Sequence, residues 1–355
     1  MKVVGKLKSL KQISPSKYTS LKKCTYRTIL ANSGTKQILP YSPSSHLGTI
    51  IHECLNLIFS NKINEINKFS KKWDELIEKE EESLRRKGLS LYIPLSKNVQ
   101  GYTIKKLQVK SILKKKISKE NFEETSTRKP YKIYTEKWLE SADGLIAGKA
   151  DFIFNSDSYS KLSDFKTGNI LDEGAIKKDF EDQLNLYAYL FKENFGKYPD
   201  ALSLIDLQNN EHFIIISEEK CETLAQEAKS YLKWVNQCIS DIRIDKIANP
   251  NEEICSSCLF RPACEFYWRK KNYNSELKFD DVKGLLVEVK KFKNGNINIT
   301  INQNNQNILI YRIKDIFEEF LRDSLQKEIA IYNLKRVSNL TYQAIKTTKI
   351  YYAER

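Results

Sequence analysis

The hydrophobic pattern changes period near residue 131, and that change constrains the fold more than any other feature of the chain. Before it, apolar residues recur at helical spacing over residues 14–32, 45–60, 62–90 and 103–120. The first of these opens on Ser14-Pro15, a capped helix start, and residues 121–130 read as a loop ending at Pro130. After it, residues 131–140, 145–154 and 160–166 read as strands, with a break at Asp143-Gly144. Helical spacing returns over 173–195, strands over 201–207 and 211–217 flank the Asn209-Asn210 turn, and an amphipathic helix covers 218–243. Beyond residue 275 the pattern is mainly β: strands near 282–292, 296–302 and 307–313, a helix at 314–324, then strands near 328–336 and 341–352. The polar run Asn302–Asn307 reads as a hairpin turn. The expectation is an α/β protein in three parts: helical 1–130, mixed 131–274 and β-rich 275–355.

Composition excludes several classes. With 41% hydrophobic residues, the chain can bury real cores and is not wholly disordered. No run of 18 apolar residues is present to cross a bilayer, and Met1–Lys8 lacks the apolar segment of a secretory signal, so no membrane role is expected. Seven Cys, an odd number, fit a reducing, cytoplasmic setting better than a disulfide framework. No Walker-type loop is present, which argues against an ATP-driven motor.

The net charge is +14, and it is unevenly spread. Residues 1–130 carry +16, residues 131–274 carry −6 and residues 275–355 carry +4. Lys-rich helices are often only solvated surfaces. Basic segments flanking an acidic centre also suit a protein that grips phosphates at its edges and cations in its middle.

The acidic centre holds Gly148-Lys-Ala-Asp151 and, thirteen residues after that Asp, Asp164-Phe-Lys166. Asp164 and Lys166 are two apart on a strand, so they share its face. If the strands of 145–154 and 160–166 pair as a hairpin, both carboxylates and the ammonium converge. Hard divalent cations favour such carboxylate oxygens, and a neighbouring Lys can orient water and offset negative charge. Asp-x-Lys alone occurs by chance on many exposed strands. Its neighbours add weight: Gln183 and Tyr187 lie at i and i+4 on the next helix, and His52 lies one turn after Gly48 on an upstream one. His52 alone could be a packing residue, and Tyr187 could be core.

Together, Gly48-x-x-x-His52, Gly148-x-x-Asp151, Asp164-x-Lys166 and Gln183-x-x-x-Tyr187 resemble the motif series of the RecB-like branch of PD-(D/E)XK nucleases, over about residues 14–268. The resemblance implies a restriction-endonuclease-like core, a central mixed sheet flanked by helices. It implies that Asp151, Asp164 and His52 ligate Mg²⁺ or Mn²⁺. Lys166 would act on the nucleophilic water, while Gln183 and Tyr187 hold the site and contact the DNA backbone. Glu136 stands where many members carry a Glu on the preceding strand. Ala150, rather than Pro, precedes the first Asp, which is ordinary for this branch. The implied products are a 5′-phosphate and a 3′-hydroxyl.

Cys255, Cys258 and Cys264 fall within one short segment, and either zinc or an iron–sulfur cluster would need a fourth ligand. The late spacing, with Cys24 upstream, resembles RecB-like members that hold a [4Fe–4S] cluster, such as AddB-type helicase–nucleases and the exonucleases of CRISPR adaptation. By that resemblance the cluster is a staple between distant parts of the chain. Cys54, Cys221 and Cys238 read as small buried apolar residues.

The β-β-β-α-β-β order after residue 275 matches an OB-like barrel that binds single strands by stacking bases on aromatics in a basic groove. Phe292, Tyr311, Tyr332, Tyr342, Tyr351 and Tyr352 are candidate platforms, though any one of them could fill the barrel. Lys290, Lys291, Lys293, Lys335 and Arg336 are candidate cations. The expectation is a metal-dependent DNA nuclease acting on single strands or free ends, with a helicase or defence-system protein as a further partner. A non-catalytic DNA-binding scaffold is the alternative.

Overall fold

A computed structural model of the chain describes residues 6–35, 38–123, 131–271 and 279–353. In chain order the helices and strands are α1 (Pro15–Lys23), α2 (Thr25–Asn32), α3 (Pro43–Phe59), α4 (Ile66–Arg86), α5 (Leu95–Asn98), α6 (Tyr102–Glu123), β1 (Tyr131–Glu140), β2 (Ala147–Ser156) and β3 (Ser160–Lys166). They continue with β4 (Leu171–Asp172), β5 (Ala175–Ile176), α7 (Lys178–Phe195), β6 (Ala201–Asp206), β7 (Glu211–Ile214), α8 (Glu218–Ser240), α9 (Glu252–Ser256) and α10 (Glu265–Lys270). The last are β8 (Phe279–Lys291), β9 (Ile297–Gln303), β10 (Gln306–Ile313), α11 (Glu318–Asp323), β11 (Glu328–Ser338) and β12 (Thr341–Tyr352). Two compact units result: one from Ser9–Thr25 and Pro43–Ile247, the other from the described residues of Met1–Lys8, Tyr26–Ser42 and Ala248–Arg355.

The first unit is built on a mixed sheet in the order β1-β2-β3-β6-β7. Among its strands in the described residues, β3 and β6 are the one parallel pair, joined by the α7 crossover that a parallel pair requires. Strand β3 is covered on both faces: Leu162 and Ser163 are sealed, Phe165 is 1% exposed, and Lys166 at the strand end is half-buried. The front helices cover this sheet. Leu47, Ile51, Leu55 and Ile58 of α3 join Phe69 and Trp73 of α4 and Val109, Ile112 and Leu113 of α6 in one core with Phe152 and Phe165. Phe59 links the layers, stacked on Phe165 at 4.9 Å and edge-on to Phe152 at 5.3 Å. Truncating Phe165 to Ala would cost about 3–5 kcal/mol by emptying that joint.

Several boundaries differ from the pattern reading. The helical stretch 14–32 is two helices, because Cys24 is extended (φ −157°, ψ 97°). Ser14 precedes α1, but its side chain makes no capping bond. Helix α7 starts at Lys178 rather than near 173, because β4 and β5 form a small hairpin that turns on Glu173 and Gly174, both at positive φ (47° and 85°). Stretch 314–324 is a 3₁₀ turn (Asp315–Phe317) followed by the short α11. Helix α6 runs on through Glu123, and residues 124–130 of the expected loop lie outside the described residues.

The second unit is a closed five-stranded barrel in the order β10-β12-β11-β8-β9, with α11 between its third and fourth strands. Strands β10 and β12 are its one parallel pair among the described residues. The interior is filled by Leu286, Ile297, Ile299, Ile301, Ile310, Ile329, Ile331 and Leu334. Gly284 lets β8 approach β9, because a Cβ there would strike the Asn302 carbonyl. The β9–β10 turn falls at Asn304-Asn305, both at positive φ (50° and 63°), as a tight hairpin requires. The Cys-bearing segment α9–α10 belongs to this unit. Arg261, between Cys258 and Cys264, donates from Nε and Nη2 to Asp281 of β8 at 2.6 and 2.9 Å. Tyr267 Oη and the Asn333 amide also donate to Asp281, at 2.7 and 2.8 Å.

Candidate active site

The antiparallel β2–β3 register pairs Phe152 with Ser163, which brings Asp151 and Asp164 to neighbouring positions at one end of the hairpin. Asp164 is 5% exposed. Gln183 of α7 reaches across and donates from Nε2 to Asp164 Oδ1 at 2.7 Å, while its Oε1 accepts from Lys166 Nζ at 3.0 Å. One amide therefore fixes both catalytic candidates of β3. Asp164 Oδ2 is ion-paired with Lys166 Nζ at 2.7 Å, and this buried oxygen makes no further polar contact among the described residues. The Phe180 ring stands 4.4 Å from Lys166 Nζ on the other side.

Asp151 Oδ2 accepts the Phe165 amide at 3.0 Å. Burial, reinforced by the Asp164 charge, pushes its carboxyl up to about 7. His52 of α3 faces it with Nδ1 3.7 Å from Asp151 Oδ2. Burial lowers the His52 pKa, against the opposing pull of Asp164, so its imidazole is neutral and able to ligate at neutral pH. Tyr187 is 3% exposed, and its hydroxyl donates to the Lys149 carbonyl at 2.7 Å. That contact explains the glycine of Gly148-x-x-Asp151. A Cβ at Gly148 would stand 3.0 Å from both Tyr187 Oη and Pro15 Cδ, prising α7 and α1 from β2.

Glu136 of β1 lies opposite Asp151 in the register, between the pairs Thr135–Phe152 and Lys137–Ala150, and its φ of 52° is unusual for a strand. Its Oε1 accepts from Asn56 Nδ2 at 2.7 Å, and its charge raises the pKa of both Asp151 and His52. The sequence reading missed Asn56. It stands one helical turn after His52, and that spacing was the available signal.

Residues 12–265 match the PD-(D/E)XK nuclease superfamily. The chain belongs to that superfamily. No curated protein matches significantly. Among solved structures, a protein from Eubacterium rectale provisionally named an exonuclease is similar at 10% identity and a TM-score of 0.41, over 75% of this chain and 91% of that one. A protein called SSO0001 is similar at 16% identity and a TM-score of 0.29, over 73% and 88%. Asp151, Asp164 and Lys166, gathered at one end of the β2–β3 hairpin, all lie within the matched residues.

The donor set suits a hard cation. It offers a buried carboxylate oxygen whose one partner among the described residues is the Lys166 ammonium, a second carboxyl raised by burial and by the first, and a neutral imidazole. As the side chains stand, no group of three or more His, Cys, Asp or Glu is closed tightly enough to enclose a metal, among the described residues.

Cys255 and Cys258 are buried and Cys264 half-buried, in a segment where the Cys258 amide donates to the Cys255 carbonyl at 3.0 Å and Arg261 Nη1 donates to the Cys258 carbonyl at 2.9 Å. Cys54, Cys221 and Cys238 are fully buried. In the barrel, Tyr332 and Tyr342 are 3% and 4% exposed and pack as core, so neither is a stacking platform. Arg336 is tied to Asp280 at 3.0 Å. Phe292 and Tyr352 are 40% and 46% exposed, and Lys290 Nζ lies 5.6 Å from the Phe292 ring centre. Among the described residues no helix is long and apolar enough to cross a membrane.

Proposed function

We propose that the protein is a Mg²⁺- or Mn²⁺-dependent deoxyribonuclease, an exonuclease or end-processing hydrolase that acts on single strands or free ends. The observation that carries this reading is the crowded pair Asp151 and Asp164, the first half-buried with its carboxyl raised to about 7, the second buried beside the Lys166 ammonium. Asp151, Asp164 and His52 would hold the cation. When bound, it acidifies water and offsets charge on a phosphoryl oxygen. Lys166 sets an ammonium beside Asp164, where it orients water and faces the charge that grows on the phosphate. Gln183 keeps the Lys166 and Asp164 side chains in register. Tyr187 fixes the β2 backbone at Lys149, two residues before Asp151.

Residues 1–130 then supply the basic approach and 131–274 the chemistry. The barrel of 275–355 is read as OB-like: its order, first-second-third-fifth-fourth with a helix after the third strand, supports that, and Phe292, Tyr352 and Lys290 are the exposed platform and cation. Cys255, Cys258, Cys264 and Cys24 are proposed to hold a [4Fe–4S] cluster, with zinc as the alternative. The setting is recombination, repair or defence, with a helicase-type partner. The intact Asp151, Asp164 and Lys166 argue against a non-catalytic scaffold.

The test is cleavage of end-labelled single-stranded and duplex DNA with Mg²⁺ or Mn²⁺. Wild type should cut, and Lys166→Ala should bind DNA without cutting. Binding by wild type without cleavage under every cation would favour the scaffold. For the cluster, purified wild type should carry iron and visible absorbance, and Cys264→Ala should lose both.

A further inference from the structure

Edge strand β1 carries an aromatic group beside the cation pocket that the chemistry above does not use. The strand ends in Trp138-Leu139-Glu140, and alternation sends Leu139 inward and Trp138 outward: Leu139 is sealed, whereas Trp138 is 47% exposed. A ring of that size is ordinarily well buried. The indole is held in place, because its Nε1 donates to Glu140 Oε2 at 3.1 Å. Its cross-strand partner is Lys149 of β2, and residues paired in this way share a face. Lys149 Nζ in turn lies 3.8 Å from Glu136 Oε2, and Glu136 stands opposite Asp151 in the register. Trp138 and Lys149 therefore continue the face of Glu136 and Asp151 two residues outward, about 7 Å along the strands. The backbone beneath them is fixed, since the Lys149 carbonyl accepts from Tyr187 Oη and the Leu139 side chain is buried.

An oriented, exposed indole beside an ammonium matches the two halves of an unpaired nucleotide. The base stacks on the ring whatever its identity, and the phosphate takes the cation. The Lys149–Glu136 pair is exposed and longer than a hydrogen bond, so it holds the ammonium weakly and a phosphate can displace the carboxylate. A base inside a duplex is already stacked on its neighbours and has no free face for the ring. We propose that Trp138 stacks the base of the nucleotide next to the scissile phosphate, while Lys149 holds that nucleotide's own phosphate. The inference rests on the nuclease reading and deepens it. It gives a physical reason for action on single strands or free ends: the flanking base must be unpaired to reach Trp138. This platform belongs to the compact unit that holds the cation pocket, whereas Phe292 and Tyr352 belong to the other.

Strand binding by the full chain carrying Lys166→Ala, with Mn²⁺ present, tests it by fluorescence anisotropy. The probes are a short labelled oligo-dT and its abasic counterpart, which keeps the phosphates and lacks the bases. Adding Trp138→Ala should weaken oligo-dT about tenfold and leave the abasic strand unchanged. Trp138→Phe, which keeps a ring, should retain most of the affinity, and Trp138→Leu should not. Lys149→Gln should weaken both strands alike and lower the salt slope by about one. Unchanged thermal melting of these variants separates a lost contact from a lost fold. A Trp138→Ala protein that binds oligo-dT like its parent, or that loses as much affinity for the abasic strand, would overturn the stacking. A Lys149→Gln protein with its parent's salt slope would overturn the phosphate contact. Base-dependent binding through Trp138, with no cleavage by the protein that retains Lys166, would leave the platform standing and sink the nuclease reading. Cleavage by that protein, with binding indifferent to Trp138, would do the reverse.

Discussion

Each compact unit carries a buried acidic pair beside a basic residue, and the two are finished differently. In the barrel unit, Asp281 accepts hydrogen bonds from Arg261, Tyr267 and the Asn333 amide. Its neighbour Asp280 accepts from Lys271 and Arg336. In the sheet unit, Asp164 Oδ2 has the Lys166 ammonium and no other partner among the described residues, and Asp151 has a single backbone donor and a carboxyl lifted to about 7. Residue types are nearly the same in both places. Saturated carboxylates are structural joints, because every lone pair that burial strips of water is repaid within the fold. Unsaturated ones hold binding capacity in reserve. The contrast explains why the second pair, and not the first, is the place for a cation.

Mutations on the two sides should therefore fail in different ways. The largest effect is expected from Lys166→Ala, which should lower cleavage about 100- to 1,000-fold with little change in melting temperature. Arg261→Met should do the opposite. It leaves Asp281 charged and buried without its main partner, at a cost of about 3–5 kcal/mol read from denaturant unfolding. A stable Arg261→Met protein with impaired chemistry would break the comparison.

Next comes pH. Asp151 holds its proton in the folded protein up to about 7, against 3.8 for an ordinary Asp. Its folded pKa is raised, so the metal-free fold binds the extra proton between those values and loses stability as pH rises through that window. Cation uptake needs the carboxylate, so Mn²⁺ affinity should climb as pH rises toward 7 and level off above it. Melting curves from pH 5 to 8, with and without Mn²⁺, should show opposite slopes. Parallel slopes would remove Asp151 from the cation site.

The smallest effect is expected on the basic helix α6, where Lys105, Lys110 and Lys114 have no partner among the described residues while Lys106 is paired with Asp74. Reversing the first three to Glu should weaken DNA binding and flatten its dependence on salt, by about one unit of slope per lost phosphate contact. Unchanged affinity would make that face only a solvated surface.

Much of this was legible in the sequence. Strands 160–166 and 341–352 have the expected bounds. Asp164 and Lys166 share a face because a buried Phe separates them. Other features were not legible, for physical reasons. Helical periodicity continues through Cys24, so the break there depends on tertiary packing. The Glu173-Gly174 turn took five residues from the expected start of α7, a hairpin too short to show alternation. The i, i+4 spacing of Gln183 and Tyr187 gave their face but not their targets. Gln183 grips side chains of β3, whereas Tyr187 grips the backbone of β2. Tyr332 and Tyr342 could not be told from stacking platforms, because barrel strands place aromatics on both faces.

The central claim is that the unsaturated pair, and not the saturated one, takes up a divalent cation. Thermal melting of the wild type, Asp164→Asn and Asp280→Asn at increasing Mn²⁺ tests it most directly. Wild type and Asp280→Asn should both gain stability as Mn²⁺ rises, and Asp164→Asn should gain none. A wild type indifferent to Mn²⁺, or an Asp164→Asn protein stabilised as much as wild type, would contradict it.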